Sequence, residues 1–236
     1  MSTDTSTWGE IQGQTITFPM VVPDLDAATL MFTVPLAAAQ RLLPGSDFEV
    51  IDIGGESAQL VIALVDYIDN PWGDYLEINL GFLARPAGAP DDVVGSFIYR
   101  MPVDQEFTCE AGNKVMGFPK TVEDLSRTEA GGRTTFAMAV DGEIELSVSF
   151  PTVDGSGERA PVESISYSYL DGRPFATPLT LDLGTAVIDP ADVAITLGSG
   201  VVADELRSLG LPKAPDMVAW GTGLSGTFLE GRPLTP

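Results

Sequence analysis

The chain contains no histidine, and its single cysteine is Cys109. The missing histidine removes Ser-His-Asp and Cys-His nucleophilic machinery and every metal site that needs an imidazole. A lone cysteine rules out an intramolecular disulfide and thiolate metal clusters, and it fits a reducing, cytoplasmic setting. Lysine is scarce, present only as Lys114, Lys120 and Lys213. Positive charge as a whole is thin, with 12 Lys and Arg against 34 Asp and Glu, a net charge of −22. Such an anion repels nucleic acid and anionic membrane surfaces, so neither is expected as a partner, and solubility is the plain reading of the charge. No apolar run reaches the roughly 18 residues that suggest a membrane span. The opening "MSTDTSTWGE" has neither the basic nor the apolar region of a secretory leader. The nucleophiles that remain are Ser, Thr, Asp, Glu, Tyr, Cys109 and the three lysines.

What is present is strand. Hydrophobic residues make up 44% of 236 residues and are spread along the length, enough for a substantial core in one domain. Residues 1–15 read as a flexible arm and 16–236 as a single domain. "TVPLAAAQRLLPG" reads as a short helix, with Thr33 as its cap, Pro35 in its first turn and Pro44-Gly45 as its stop. "FEVIDI", "AQLVIALVDYI", "DYLEINLGFL" and "VVGSFIYRMPV" read as strands, the second apolar enough to be buried on both faces. Asp104 is a candidate cap for a short helix carrying Phe107 and Ala111. "GGRTTFAMAVDGEIELSVSF" is a hairpin turning at Asp141-Gly142, and a second Asp-Gly turn stands at Asp171-Gly172. "VADELRSLG" is a short helix ending at Gly210, and "DMVAWGTGLSGTFLEG" a last strand with glycine irregularities. Many short-spaced strands with few helices predict a closed or strongly curved antiparallel sheet.

One stretch bears on chemistry. In "GNKVMGFPKT", Lys120 follows an apolar run that includes Met116 and Phe118 and is stiffened by Pro119. Lysine is normally protonated, with a pKa near ~10.4, and apolar burial lowers that value by up to about 3–5 units. A neutral amine attacks a ketone to form a Schiff base, whose protonated imine accepts electrons from a neighbouring bond. On local sequence alone, an exposed lysine at the end of an apolar segment is the commoner arrangement. A second candidate group lies on a strand: in "DYLEINL", Tyr75, Glu77 and Asn79 share one face, and Leu76, Ile78 and Leu80 the other. The polar row is either solvated surface or, inside a barrel, the lining of a pocket.

"CEAGNKVMGFPK" resembles the signature of the acetoacetate decarboxylase family, in which an acidic–small–glycine segment leads to an aromatic–Pro–Lys. "LLPG", "LVIALVDYI", "YLE" and "MPVD" follow in that family's order, and the similarity covers residues about 25–150. The resemblance implies an α+β, β-rich domain whose curved antiparallel sheet closes into a cone-like barrel with a few short helices. It implies a cofactor-independent lyase acting on a keto acid or related carbonyl compound, with decarboxylation of a β-keto acid as the type reaction. Aldolase or dehydratase chemistry on the same scaffold, or a non-catalytic barrel that binds a small molecule, are the alternatives. Lys120 is then the Schiff-base nucleophile and Glu77 the acid/base or orienting group. Tyr75, Met116 and Phe118 are substrate-binding candidates, no metal or organic cofactor is needed, and a homo-oligomer is expected. Arg100, Arg127 and Lys114 are candidate partners for a substrate carboxylate. The sequence departs from the family pattern in four places. Thr121 stands where the decarboxylase has a second lysine, and Asn113-Lys114 replaces an Arg-Glu pair. "IQGQTITF" lacks an arginine, and a second glutamate falls at or near Leu60. These departures favour the imine over the decarboxylation.

Overall fold

The computed structural model describes residues 5–234. β1 (Ser6–Ile11) and β2 (Gln14–Phe18) form an antiparallel hairpin. Ile11, Ile16 and Phe18 from this hairpin are buried against the inner core. This hairpin begins within residues 1–15, the segment read as an arm, and residues 1–4 lie outside the described residues. β3 (Met20–Pro35) leads into α1 (Leu36–Leu42). Thr33 does not cap that helix: it pairs with Gln59 inside the sheet, and Pro35 takes the capping position. β4 (Phe48–Val50), β5 (Ser57–Asp69), β6 (Tyr75–Pro86) and β7 (Gly95–Val103) then follow. After them come α2 (Glu106–Ala111), a wide helical turn over Gly112–Met116, and β8 (Lys120–Val122).

β9 (Asp124–Ala130), β10 (Arg133–Val140) and β11 (Glu143–Pro151) form a meander that continues later into β15. The remaining elements are β12 (Ala160–Leu170), β13 (Arg173–Leu183), β14 (Ala186–Val187), β15 (Ala194–Leu197), α3 (Val201–Ser208), β16 (Met217–Phe228) and β17 (Arg232–Pro233). Both Asp-Gly turns are tight hairpin turns with two consecutive positive φ values, 51° and 81° at Asp141-Gly142 and 52° and 73° at Asp171-Gly172.

Strands β16, β3, β5, β6, β7, β12 and β13 pair in that order, and β13 pairs back to β16, closing a seven-strand barrel. The expected antiparallel pattern holds around this ring except at one seam, where β7 and β12 run parallel. A four-stranded sheet, β15-β11-β10-β9, packs outside it. This arrangement explains the apolar run of β5. Leu60, Ile62 and Leu64 point outward into a core shared with Phe136, Val148 and Phe150 of the outer sheet. Val61, Ala63, Val65 and Tyr67 point inward and line a cavity. A strand covered on both sides has no solvent face to make polar. The glycine irregularities foreseen in β16 are register shifts against β3 around Leu224. No helix among the described residues is long and apolar enough to cross a membrane.

Candidate functional site

The barrel encloses a cavity of about 300 Å³. Its inner end is built by three neighbouring strands. β6 pairs with β7 through Glu77 and Val103, and β7 pairs with β8 through Met101 and Lys120. Alternation along β6 turns Tyr75, Glu77 and Asn79 into the cavity while Ile78 and Leu80 enter the outer core. The polar row seen in the sequence is therefore interior lining. Lys120 is 7% exposed and Glu77 3%. Lys120 Nζ lies 2.6 Å from Glu77 Oε2.

The chain reaches Lys120 by an unusual path. Gln105, not Asp104, caps α2, its side chain accepting from the Thr108 N–H at 2.9 Å. Asp104 instead accepts from the Leu76 N–H at 2.8 Å, which ties the start of this segment to β6. After Ala111 the helix widens into a single i→i+5 turn, a form often found beside functional sites. Gly117 ends that turn at φ 66°, where a Cβ would also stand 2.4 Å from the Tyr169 carbonyl oxygen, so only glycine fits. Asn113 then holds the lysine's backbone from both sides, accepting from Lys120 N–H at 2.9 Å and donating to Lys120 C=O at 3.1 Å. Cys109 donates to the same carbonyl at 3.3 Å, a structural duty for the lone thiol.

Each charge has a defined set of partners. Lys120 Nζ donates to Thr108 Oγ1 at 3.1 Å and approaches Tyr75 OH at 3.4 Å, lying 4.9 Å from the centre of the Tyr75 ring. Glu77 Oε1 accepts from Tyr67 OH at 3.2 Å and from Asn79 Nδ2 at 3.1 Å. Tyr67 and Tyr75, cross-strand partners on β5 and β6, stack with ring centres 4.3 Å apart. Burial, the largest single influence on Lys120, works to lower its pKa. The opposing charge of Glu77, helped by Tyr75 and by hydrogen bonding, outweighs burial and moves the net value upward. This corrects the sequence expectation of a lysine stripped of its proton by an apolar pocket: its counterion shares the pocket. Burial raises the pKa of both Tyr67 and Tyr75, so both phenols stay neutral.

All five residues singled out from the sequence, Lys120, Glu77, Tyr75, Met116 and Phe118, line this one cavity. Thr108, Tyr67 and Gly112 were not foreseen. Thr108 and Gly112 are four residues apart, a spacing that puts both on one helix face, but nothing in the sequence says that this face meets Lys120. Asn113 was visible only as a departure from a pattern, and it is the clamp on the lysine's backbone. The three candidate carboxylate partners are elsewhere. Arg100 pairs with Glu205 at 2.6 Å, and Arg127 with Asp26 and Asp66 at 2.7 and 2.8 Å. Lys114 pairs with Glu110 on an exposed helix face. None of the three lines the cavity. Thr121 is exposed on β8, on the opposite side of the strand from Lys120. Leu60 faces the outer core, and its neighbour Val61 presents an apolar side chain to the cavity instead.

A closed seven-strand barrel with a buried lysine–glutamate pair on the wall of an apolar cavity is a scaffold that can hold a small molecule. The family model for acetoacetate decarboxylase (ADC) matches residues 5–215, and the chain belongs to that family. No curated protein sequence matches the chain. Among solved structures, it is similar to acetoacetate decarboxylase from Legionella pneumophila subsp. pneumophila str. Philadelphia 1. That likeness has a TM-score of 0.66 and 14% identity, covering 92% of this chain and 87% of that one. An acetoacetate decarboxylase-like enzyme from Sphingomonas wittichii RW1 aligns with a TM-score of 0.58 and 13% identity over 98% and 99% of the two chains. The enduracididine biosynthesis enzyme MppR, solved with the condensation product of pyruvate and imidazole 4-carboxaldehyde, aligns with a TM-score of 0.55 and 18% identity over 93% and 91%. At these identities the likeness concerns the fold.

Proposed function

We propose that the protein is a lyase that forms a Schiff base between Lys120 and a carbonyl substrate, with Glu77 moving the protons. The observation that carries this reading is the 2.6 Å contact between the two groups, both nearly sealed from solvent, at the end of a cavity that can hold a small molecule. In the resting pair the proton sits on Lys120. Its transfer to Glu77, 2.6 Å away, gives a neutral amine and a neutral acid. The amine nitrogen attacks the carbonyl carbon while Glu77 protonates the carbonyl oxygen. Glu77 then takes a proton from the new C–N nitrogen and returns it to the hydroxyl, which leaves as water. The product is a protonated imine beside a Glu77 carboxylate, so the site carries the same charge before and after.

Thr108 and Tyr75 aim the amine and exclude other partners, while Tyr67 and Asn79 fix the carboxylate on its other oxygen. The iminium then draws electrons from a bond at the adjacent carbon. MppR, which shares the fold, is solved with the condensation product of pyruvate and imidazole 4-carboxaldehyde; chemistry at the carbon next to the iminium is the reading proposed for this chain. The test is direct. The protein is incubated with a panel of ketones, aldehydes and keto acids, reduced with cyanoborohydride, and digested for mass mapping. A substrate-sized adduct on Lys120, absent from Lys120→Met, is the expected result; no adduct with any member of the panel would refute the proposal.

A further inference from the structure

We infer that the substrate is a neutral, apolar carbonyl compound (a ketone or aldehyde with a hydrocarbon tail) and not a keto acid; this rests on the Schiff-base reading above. The first ground is charge. Of the twelve Lys and Arg residues in the chain, Lys120 alone lines the cavity, and its charge is matched by Glu77. Imine formation leaves that balance unchanged, because a protonated imine replaces the ammonium and Glu77 ends as a carboxylate. A substrate carboxylate would therefore enter the cavity as a second anion with no cation to meet it. Burying an unpaired charge is strongly unfavourable, and the molecule's net charge of −22 repels an anion before it arrives.

A second charged group on the cavity lining reinforces this. The only other carboxylate lining the cavity among the described residues is Asp182, which accepts hydrogen bonds from Ser225 N–H at 3.1 Å and Ser225 Oγ at 2.8 Å. Arg159 stands 3.8 Å from the same carboxylate and is half exposed, so its charge is already directed at Asp182. Arg159 and Asp182 thus offset one another, and Arg159 does not line the cavity.

The second ground is the cavity wall. Val22, Leu25, Val61, Ala63, Leu181 and Phe228 face the space, a surface that rewards a hydrocarbon tail, while the polar groups beside them, such as Asn70 and Ser166, are neutral and bring no charge to balance a carboxylate. With no carboxylate to expel, the bond that the iminium weakens is a C–H bond or the C–C bond of a β-hydroxy carbonyl compound. In the latter case the electrons pass to the iminium and the departing carbon leaves as a second carbonyl, its hydroxyl proton going to Glu77. No oxidant or further reactant is required.

The experiment uses the full chain. Straight-chain methyl ketones from butanone upward are compared with 2-keto and 3-keto acids of equal carbon number, and the concentration that half-saturates cyanoborohydride trapping at Lys120 is measured for each. That concentration should fall about fourfold per added methylene until the cavity fills, the factor that ~0.8 kcal/mol per buried CH₂ gives at 25 °C. The keto acid of matched length should need at least about tenfold more than its ketone. Keto acids that saturate Lys120 at equal or lower concentration than their ketones would overturn the inference, as would a half-saturation that ignores chain length. In both cases the Schiff base itself would stand. No adduct with either series would remove the Schiff-base reading and this inference together.

Discussion

Gly112→Ala separates positioning of the lysine from stability of the fold. Gly112 has helical backbone angles, φ −59° and ψ −42°, so alanine brings no backbone strain. In a helix it is favoured over glycine by about 1 kcal/mol. Its Cβ, however, would lie 2.7 Å from Lys120 Cδ and 2.8 Å from Cε. Carbon atoms settle at about 3.5–4.0 Å, so the lysine stem must retreat by roughly 1 Å. It has little room to do so, because Asn113 holds its backbone and Thr108, Tyr75 and Glu77 hold its tip. Misplacing a reacting group by about 1 Å costs on the order of 10²-fold in rate. Overpacking costs about 1–3 kcal/mol, partly offset by the gain in helix propensity. The expected variant therefore folds, with a stability loss under about 2 kcal/mol in urea unfolding, yet its trapping rate at Lys120 falls roughly 10–100-fold. Far-UV circular dichroism verifies the fold, and mass mapping after timed reduction gives the rate. Trapping within twofold of the unsubstituted protein would refute the claim that Gly112 is a glycine to make room for the lysine.

The ion pair makes a second prediction through a double-mutant cycle. Lys120→Met alone leaves the Glu77 charge buried without its partner and should cost about 3–5 kcal/mol in urea unfolding, while Lys120→Met with Glu77→Gln should recover at least about 2 kcal/mol of that. Additive single effects would mean that the two groups do not interact. The alkaline limit gives a third. Lys120, Tyr67 and Tyr75 all have pKa values raised by folding. A raised value contributes stability that is complete below the unfolded pKa, about 10 for both residue types, and is lost as pH rises through the folded one. The melting temperature should therefore hold between pH 7 and 9 and fall above about pH 10, less steeply in Tyr67→Phe; a flat profile to pH 11 would contradict the burial of these protons.

Much of the site was legible in one dimension because strand periodicity is local. Tyr75, Glu77 and Asn79 alternate with Leu76, Ile78 and Leu80, and that alternation alone set which residues share a face. It did not say whether the face was wet. Only closure of the seven strands, through the β13–β16 pairing, made it the inside of a barrel. Likewise the Asp-Gly turns were readable because two consecutive positive φ values demand such residues. Thr33 and Asp104 were misread as helix caps because capping residues look the same when they serve strands: Thr33 stays in the β3 ladder, and Asp104 bonds to β6.

The sequence by itself determined the short roll of possible nucleophiles and the strand-rich class, since absent residue types and local periodicity need no third dimension, and the stretch ending at Lys120 carried the resemblance to the family. The tertiary structure alone decided that Lys120 faces Glu77. Forty-three positions separate them along the chain, and they meet only because β6, β7 and β8 lie side by side. It also decided that the lysine rests as a paired ammonium ion, because a pKa follows from the sum of burial and charge around a group, and that sum exists only once distant strands have been brought together.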